Sequence, residues 1–275
     1  MEILRYASAE EFLAVTQTFR GSDSLRTGLI TSIATSVAEG KRTYENYFWW
    51  AVIKDDGISG IAIRTVPFGY VFSHMDQESA HGLFSAISTE DPEANEFAGP
   101  KSVIDYLESI SDREVSGSES ELIYANHELK SAPQIGETRK ANLDDFECVY
   151  SWMQEFMKET HLRSFNLESI VRSALSEGRY TLLVDNGIPV SLGGNSDIQH
   201  FDKSSIARVG PIYTPERYRK RGYASAITSA ITAELIAQGA TPTLYTQADN
   251  PTSNKIYQEI GYTLIDQNRK IIFAV

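Results

Sequence analysis

The amino-acid sequence predicts an α/β protein, of the α+β kind with a mixed sheet, in which helices cover both faces of a central sheet. Three observations predict this class: β-rich runs are joined by tight turns, amphipathic helices lie between them without strict alternation, and two segments of the chain recur. The 275 residues, 41% of them hydrophobic, allow one large domain or two of ordinary size.

The recurring segments indicate an internal duplication. "RYASAEEFLAV" and "RKANLDDFECV" both predict a strand that leads into a helix, with Ser8 and Asn142 as N-caps and an acidic residue three positions later. "AVIKDDGISGIA" and "TLLVDNGIPVSL" both predict a hairpin with an Asp-Gly or Asn-Gly turn. A joint near residues 131–135, which are rich in Pro and small residues, predicts domains at 1–134 and 135–275.

The second half carries the clearer pattern of elements. Ile227, Ile231 and Leu235 form an apolar stripe at intervals of four, which predicts a helix that ends before Gly239. The predicted elements, in order, are a strand at 136–140, helices at 143–159 and 167–177 (the second capped by Asn166), a hairpin of 180–184 and 190–194, a strand at 205–214, a helix at 222–238, a strand at 243–247, a helix at 252–260 and two closing strands.

Charge and cysteine content exclude several classes of protein. Residues 1–135 carry 10 Lys and Arg against 21 Asp and Glu, whereas residues 136–275 carry 15 against 16, so the acidity lies in the first half. A net charge of −12 disfavours a nucleic-acid partner and slightly favours a cationic one. The single Cys148, expected to be buried and inert, excludes an internal disulfide and a multi-cysteine metal site. No apolar run approaches the ~20 residues that span a bilayer, so we expect a cytoplasmic protein without a membrane partner.

The stretch "YTPERYRKRGYAS" concentrates positive charge in this acidic chain. Taken alone it fits a nucleic-acid patch, a solvated surface run or a phosphate-binding loop. Gly222 comes just before the predicted helix, whose first amides lack partners within the helix and attract anions. Arg219, Lys220 and Arg221 add to that attraction, so the stretch predicts a diphosphate site, although it does not match a Walker loop.

Two motifs resemble those of the Gcn5-related N-acetyltransferases (GNAT). Arg219-x-x-Gly222-x-Ala224 is similar to the Arg/Gln-x-x-Gly-x-Gly/Ala motif of that superfamily, and "NPTSNKIYQEIGY" is similar to its second signature helix. The resemblance covers about residues 206–262 and is strongest to uncharacterised two-domain members with a degenerate N-terminal copy. It implies a tandem GNAT-like acyl-coenzyme A N-acyltransferase fold.

The resemblance also implies roles for individual residues. The backbone of Ile212, Tyr213 and Thr214 would pair with the pantetheine of acetyl-coenzyme A, and the Ile212 amide would stabilise the oxyanion. Tyr257 would be the general acid that protonates the departing thiolate. The remaining cofactor-binding residues would be Arg219, Lys220, Arg221, Gly222, Tyr223, Ala224, Ser225, Asn250 and Ser253.

The general base and the role of the first half are harder to predict. No carboxylate or histidine stands out on the strand at 205–214; the alternatives are a water relay, an acceptor that arrives neutral, or one of Glu159, His161, Asp197, His200 and Glu216. In the first half "EFAGPKSVIDYLESI" keeps a Gly-Pro before a helix but lacks the anion motif, so we expect no coenzyme A there. We expect that half to shape the acceptor cleft, with Trp49 and Trp50 as an aromatic wall or as core.

The predicted function is therefore an acetyl-coenzyme A-dependent N-acetyltransferase that acts on a primary amine by direct attack in a ternary complex. The alternative is a catalytically silent protein that binds coenzyme A and regulates. The acceptor would be a small-molecule or peptide amine, no metal is implied, and the protein would be a monomer or a homodimer.

Overall fold

The computed structural model describes residues 1–55, 57–130, 134–162 and 166–274. Within these ranges the strands form one continuous mixed sheet of thirteen strands, and helices pack on both of its faces. This confirms the predicted fold class.

In chain order the first half contains β1 (Glu2–Tyr6), α1 (Ala9–Val15), α2 (Gln17–Ser22), α3 (Ser24–Ala38), β2 (Tyr47–Lys54), β3 (Gly57–Thr65), β4 (Tyr70–Phe72), α4 (Gln77–Glu90), β5 (Glu96–Pro100), α5 (Lys101–Ile110) and β6 (Val115–Asn126).

The second half repeats this order of elements, except that two α-helices replace α1, α2 and α3 and that one short strand and two short 3-10 helices are added. Its elements are β7 (Glu137–Lys140), a 3-10 helix (Leu143–Asp145), α6 (Phe146–Thr160), α7 (Leu167–Ser176), β8 (Tyr180–Asp185), β9 (Ile188–Asn195), β10 (Gln199–His200), β11 (Ser205–Tyr213), a second 3-10 helix (Glu216–Tyr218), α8 (Tyr223–Ala237), β12 (Thr241–Gln247), α9 (Pro251–Glu259) and β13 (Tyr262–Phe273).

Local sequence signals set the starts of several helices. The Ser8 hydroxyl accepts a hydrogen bond from the Glu11 amide at 3.2 Å, and Asn142 forms a capping box with Asp145, whose carboxylate accepts from the Asn142 amide at 3.0 Å. Both predicted caps are thus present. Asn166 differs from the prediction, because it lies at φ 62° and its side chain makes no capping hydrogen bond to α7.

The two halves exchange their last strands. The order of the sheet is β1-β2-β3-β4-β5-β13-β6-β12-β11-β9-β8-β7, and β10 pairs with β11 beside this path. β5 of the first half therefore pairs with β13 of the second, and β12 of the second half pairs with β6 of the first. β6 and β13 pair with each other along their length in the middle of the sheet. The two halves consequently share one hydrogen-bonded sheet, and the predicted joint lies partly at residues 131–133, outside the described ranges.

Two sequence-based interpretations are wrong at the level of elements. The two closing strands are one long strand, β13, with a bulge between Leu264 and Asp266. "EFAGPKSVIDYLESI" forms β5 and α5, which by their order in the chain correspond to β12 and α9. The first-half counterparts of β11 and α8 are instead β4 and α4. The Gly-Pro pairs of β5 and β11 therefore do not correspond, because they lie in strands at different places in the two halves.

The hydrophobic core forms separate clusters on the two faces of the sheet. Trp49 and Trp50 are adjacent in β2, so their side chains point to opposite faces, and each is 2% exposed within a different cluster. The aromatic wall that we considered for them is therefore wrong, and both are core residues. Cys148 is half-buried against the cluster under α6, and burial raises the pKa of its thiol.

Candidate functional site

The second half contains a wedge between two parallel strands. β11 pairs with β12 only from Ile206 to Arg208, although β11 continues to Tyr213. A bulge between Val209 and Ile212 turns β11 away, while β12 stays paired with β6 as far as Gln247. Backbone groups along this opened edge lack a strand partner, and such groups need one from an extended ligand or from water.

The first half keeps the corresponding strands closed. β4 pairs with β5 at Tyr70 and Val71, and β4 ends one residue later. A Cβ placed on Gly99 would lie 2.8 Å from the Phe72 carbonyl oxygen, so the two strands remain in close contact at their ends. The wedge is therefore a feature of the second half.

After β11 the chain passes through the second 3-10 helix to the start of α8. Gly222 precedes this helix at φ 80°, a conformation that favours glycine, and no side chain caps the helix. The amides of Tyr223, Ala224 and Ser225 lie in the first turn, where an α-helix supplies no acceptor. Exposed Lys220 and Arg221 flank these amides, as the sequence predicts for an anion site.

Arg219, the first residue of the predicted anion motif, directs its side chain elsewhere. Its Nη2 lies 2.7 Å from each carboxylate oxygen of Glu159 at the end of α6, and its Nε donates to the Thr214 carbonyl at 2.9 Å. In this arrangement Arg219 joins the end of β11 to α6 and does not point at the start of α8.

Two residues predicted to hold pantetheine, Ile212 and Tyr213, have side chains that contact other parts of the protein. The Tyr213 hydroxyl donates to Glu155 at 2.6 Å, and Ile212 packs on the cluster under α8. The Ser191 hydroxyl of β9 donates to the Tyr213 carbonyl at 3.0 Å, which places that carbonyl on the β9 side of the strand. Since neighbouring residues of a strand direct their backbone groups to opposite edges, the groups of Ile212 are directed to the wedge.

Tyr257 lies on α9 beside the same cluster that Ile212 contacts. Its ring makes an edge contact with Tyr262 at a centroid distance of 6.1 Å. Burial raises the pKa of Tyr257 to about 12, and a hydrogen bond with Ser253 opposes that shift. The phenol is therefore protonated at neutral pH and can donate a proton.

Asn250 and Ser253 have a structural role in the described residues. The Asn250 side chain accepts from the Ser253 amide at 3.1 Å and so caps α9, with Pro251 in the first turn. Asn254, which the sequence analysis missed, donates to the carbonyls of Gln247 and Ala248 and ties α9 to the end of β12.

Several candidates for the general base already have partners. Glu159 pairs with Arg219, and Asp197 accepts from Lys41 at 2.9 Å. His200 Nδ1 lies 3.0 Å from the Ser205 hydroxyl, whereas His161 and Glu216 are exposed at the end of α6 and in the turn before α8. Glu155 was missed, although its position one helical turn before Glu159 could have indicated it.

A large cleft lies between the two halves of the chain, beside β11. Its volume is about 1910 Å³, and it lies between α3 with its following loop, α6, α7 and the β10–β11 hairpin. Arg208, Gly210 and Pro211 of β11 line it. The cleft therefore meets β11 where the strand begins to leave β12.

The start of α4, the first-half counterpart of the anion loop, is acidic. Asp76 caps α4 by accepting from the Ser79 amide at 2.8 Å, and Lys54 pairs with both Asp76 and Glu78. A carboxylate thus occupies the place that a diphosphate would need. That the first half does not bind coenzyme A stays a prediction, and the acidic start of α4 would disfavour a diphosphate there.

In the part of the chain that the structure describes, no helix has the length and apolarity to cross a membrane, and no group of three His, Cys, Asp or Glu residues could hold a metal ion.

Comparison with known proteins agrees with the fold. Residues 199–271 match the family model of FR47-like protein, and no curated protein matches the sequence. A GNAT-family acetyltransferase from Colwellia psychrerythraea has a similar structure over 100% of both chains, with 12% identity and a TM-score of 0.62. A tandem GNAT protein from the clavulanic acid biosynthesis pathway covers 100% of this chain and 99% of its own, with 9% identity and a TM-score of 0.63. A GCN5-related N-acetyltransferase from Sphaerobacter thermophilus covers 98% of this chain and 94% of its own, with 14% identity and a TM-score of 0.57.

Within its second half the chain thus matches the family model of FR47-like protein, and over its whole length it has the fold of the GNAT acetyltransferases, including that of a tandem GNAT protein.

Proposed function

We propose that the protein is an acetyl-coenzyme A-dependent N-acetyltransferase that acetylates a primary amine within a ternary complex. The observation that carries this proposal is the wedge between β11 and β12, together with the uncapped start of α8 that follows β11 in the chain. The tandem GNAT protein of the clavulanic acid pathway, compared in its form without acetyl-coenzyme A, has the same overall fold. Domains at 1–134 and 135–275 remain part of the proposal.

The residues around the wedge would bind the two ends of the cosubstrate. The amides from Gly222 to Ser225, with Lys220 and Arg221 beside them, would hold the diphosphate. The open edge of β11 from Ile212 to Thr214 would take the pantetheine amides as a missing strand would.

The chemistry then needs three groups. The amine nitrogen of the acceptor attacks the thioester carbonyl carbon, and the Ile212 amide donates to the oxyanion that forms. When the C–S bond breaks, Tyr257 gives its proton to the thiolate. We propose that the proton lost by the amine goes to water, because Glu159 and Asp197 are held in ion pairs and His161 and Glu216 are exposed at the end of α6 and in the turn before α8.

Those same ion pairs favour a second candidate, a protein that binds coenzyme A without catalysis. Both candidates need the diphosphate site, and only the first releases free thiol. An assay of thiol release from acetyl-coenzyme A over a panel of amines therefore separates them, with slow release in every case supporting the silent protein.

Binding itself is tested by reversing one charge. Lys220→Glu should weaken acetyl-coenzyme A binding by about 10-fold or more in calorimetry, because it places a carboxylate beside the diphosphate. Lys255→Glu makes the same charge change on α9, where Lys255 is 76% exposed and 3.7 Å from Glu259, and should leave the affinity unchanged. If Lys220→Glu and the unmutated protein bind acetyl-coenzyme A with equal affinity, the proposed diphosphate site is wrong, and both candidate functions are contradicted.

A further inference from the structure

Arg208 is the central feature of the cleft between the two halves. It lies on β11 two residues before Gly210, is half-buried, and lines both the cleft and a small adjoining cavity. Within the described ranges its guanidinium donates no hydrogen bond and has no carboxylate within 4.0 Å. Arginine keeps its charge in proteins even where burial lowers its pKa, as it does here. A charge that is half-buried without a protein partner loses part of its hydration, which makes this group a candidate for binding a ligand.

The other cations of the cleft allow a comparison. Arg20 donates to Thr16, Thr31 and the Leu13 carbonyl, Lys41 pairs with Glu39 and Asp197, and Arg179 pairs with Glu177 at 2.8 Å. Arg42, in the loop between α3 and β2, resembles Arg208 in having no ion pair or side-chain hydrogen bond among the described residues. Each half thus contributes one arginine whose donors are unused.

The two arginines line the same cleft. The positive charge of Arg42 contributes to lowering the pKa of Arg208. Tyr245 and Glu121 act in the opposite direction and raise that pKa. Glu121 lies beyond ion-pair distance, and burial raises the pKa of its carboxyl. Gln199, whose side-chain oxygen is buried without a hydrogen bond, lines the cleft beside Arg208. The floor of the cleft therefore has unused donors and one unused acceptor.

We propose that Arg208, with Arg42, binds an oxyanion carried by the acceptor, so that the substrate is an amine that bears a carboxylate or phosphate group at its other end. Both groups match the planar fork of an arginine, which explains why the site would use arginine and not lysine. This inference rests on the proposed function, since it takes the cleft to be the acceptor site. It departs from the cationic acceptor that the net charge of the first half favours, because the groups lining the cleft floor differ from the surface average.

The position of Arg208 also suggests a length for the acceptor. Arg208 precedes Ile212 by four residues, which corresponds to roughly 13 Å along a regular strand, less the effect of the bulge. An amine that reacts at Ile212 while its anionic group contacts Arg208 needs a spacer of several bonds. A chain of about five atoms between the two groups is a suitable first probe.

The experiment compares amines of equal length and different charge. Acetylation of 5-aminovalerate and 4-aminobutyl phosphate would be measured beside neutral pentylamine and dicationic cadaverine. We expect kcat/KM for at least one anionic amine to exceed that for pentylamine about 10- to 100-fold, chiefly through KM. Which anionic amine is preferred distinguishes a carboxylate from a phosphate.

Variants of the two arginines test the assignment. Arg208→Met should remove most of the preference over pentylamine, and Arg42→Met, at an exposed position, should reduce it without disturbing the core. Lys203→Met, which removes a positive charge at the exposed rim of the same cleft, should keep the preference. A preference that survives in both arginine variants, or a parent protein that favours pentylamine or cadaverine, overturns the inference and leaves the transferase function intact.

A second measurement separates this inference from the proposed function. Thermal stabilisation by 5-aminovalerate and by inorganic phosphate is measured in the parent protein and in both arginine variants, without turnover. If acetyl-coenzyme A binds but no amine is acetylated, the transferase function fails. Stabilisation by the anions that depends on the arginines would still support the oxyanion site, and its absence would overturn that site.

Discussion

Replacing Tyr257 with Phe tests the role of this residue as the general acid. The change removes one hydroxyl and its hydrogen bond with Ser253, while the ring can keep its contacts with Tyr262 and the cluster under α8. A positioned acid or base contributes about 10²- to 10⁴-fold to a rate, so kcat should fall by at least about 100-fold. The free energy of unfolding should fall by only about 1 kcal/mol, the value of one hydrogen bond.

The neighbouring tyrosine provides a matched control. The Tyr262 hydroxyl lies 2.8 Å from the Thr232 hydroxyl of α8, inside the core. Tyr262→Phe therefore removes an equivalent hydroxyl a short distance away and should lower stability by a similar amount while leaving kcat within about threefold. Stopped-flow measurement of thiol release gives kcat, and urea denaturation gives the stability of each variant.

The pH profile provides an independent check on Tyr257. Because burial raises its pKa to about 12, the phenol stays protonated through pH 10, and loss of this proton cannot cause a fall in kcat below that pH. If Tyr257→Phe keeps more than a third of kcat, or if a basic limb near pH 8 disappears in this variant, the assignment of Tyr257 as the acid is wrong.

Two further predictions concern stability. A fragment of residues 135–275 should fail to form a stable monomer in solution, because β12 and β13 would both lose β6; a cooperative unfolding transition from the monomeric fragment would contradict this. Asp145→Asn should cost about 1 kcal/mol at pH 7, since Arg139 and the Asn142 amide bind the carboxylate and lower its pKa. That stabilisation is present above the pKa of the unfolded state and is lost as pH falls through the lower folded-state pKa, so urea denaturation should show the difference shrinking in acid.

Sequence reasoning succeeded where the signal is local. Gly222 and the run of cations before it mark the start of α8, and Asn142 with Asp145 marks a helix start, because capping and dipole effects involve residues a few positions apart. The paired motifs around Arg219 and Tyr257 predicted the GNAT-like fold that the structure comparisons show. These features require no knowledge of distant contacts.

It failed where the structure depends on distant pairing. Nothing in β6 shows that its partners are β12 and β13, because strand pairing has no local signature beyond the alternation of side chains. The same limit hid Arg208, which appears as an ordinary strand residue until the fold shows that its donors are unused. Glu159 looked like a candidate base only because its pairing with Arg219, sixty positions away, cannot be read from the sequence.

The exchange of last strands also determines when, during synthesis of the chain, the middle of the sheet can form. β6 leaves the ribosome well before β12 and β13, which become its two neighbours in the finished sheet. Until β12 and then β13 have been synthesised, the corresponding edges of β6 lack their final partners, and an unpaired edge can bind another chain. The copy without a cofactor motif thus supplies the strand that holds one wall of the wedge, and that wall can form only after β12 has been synthesised.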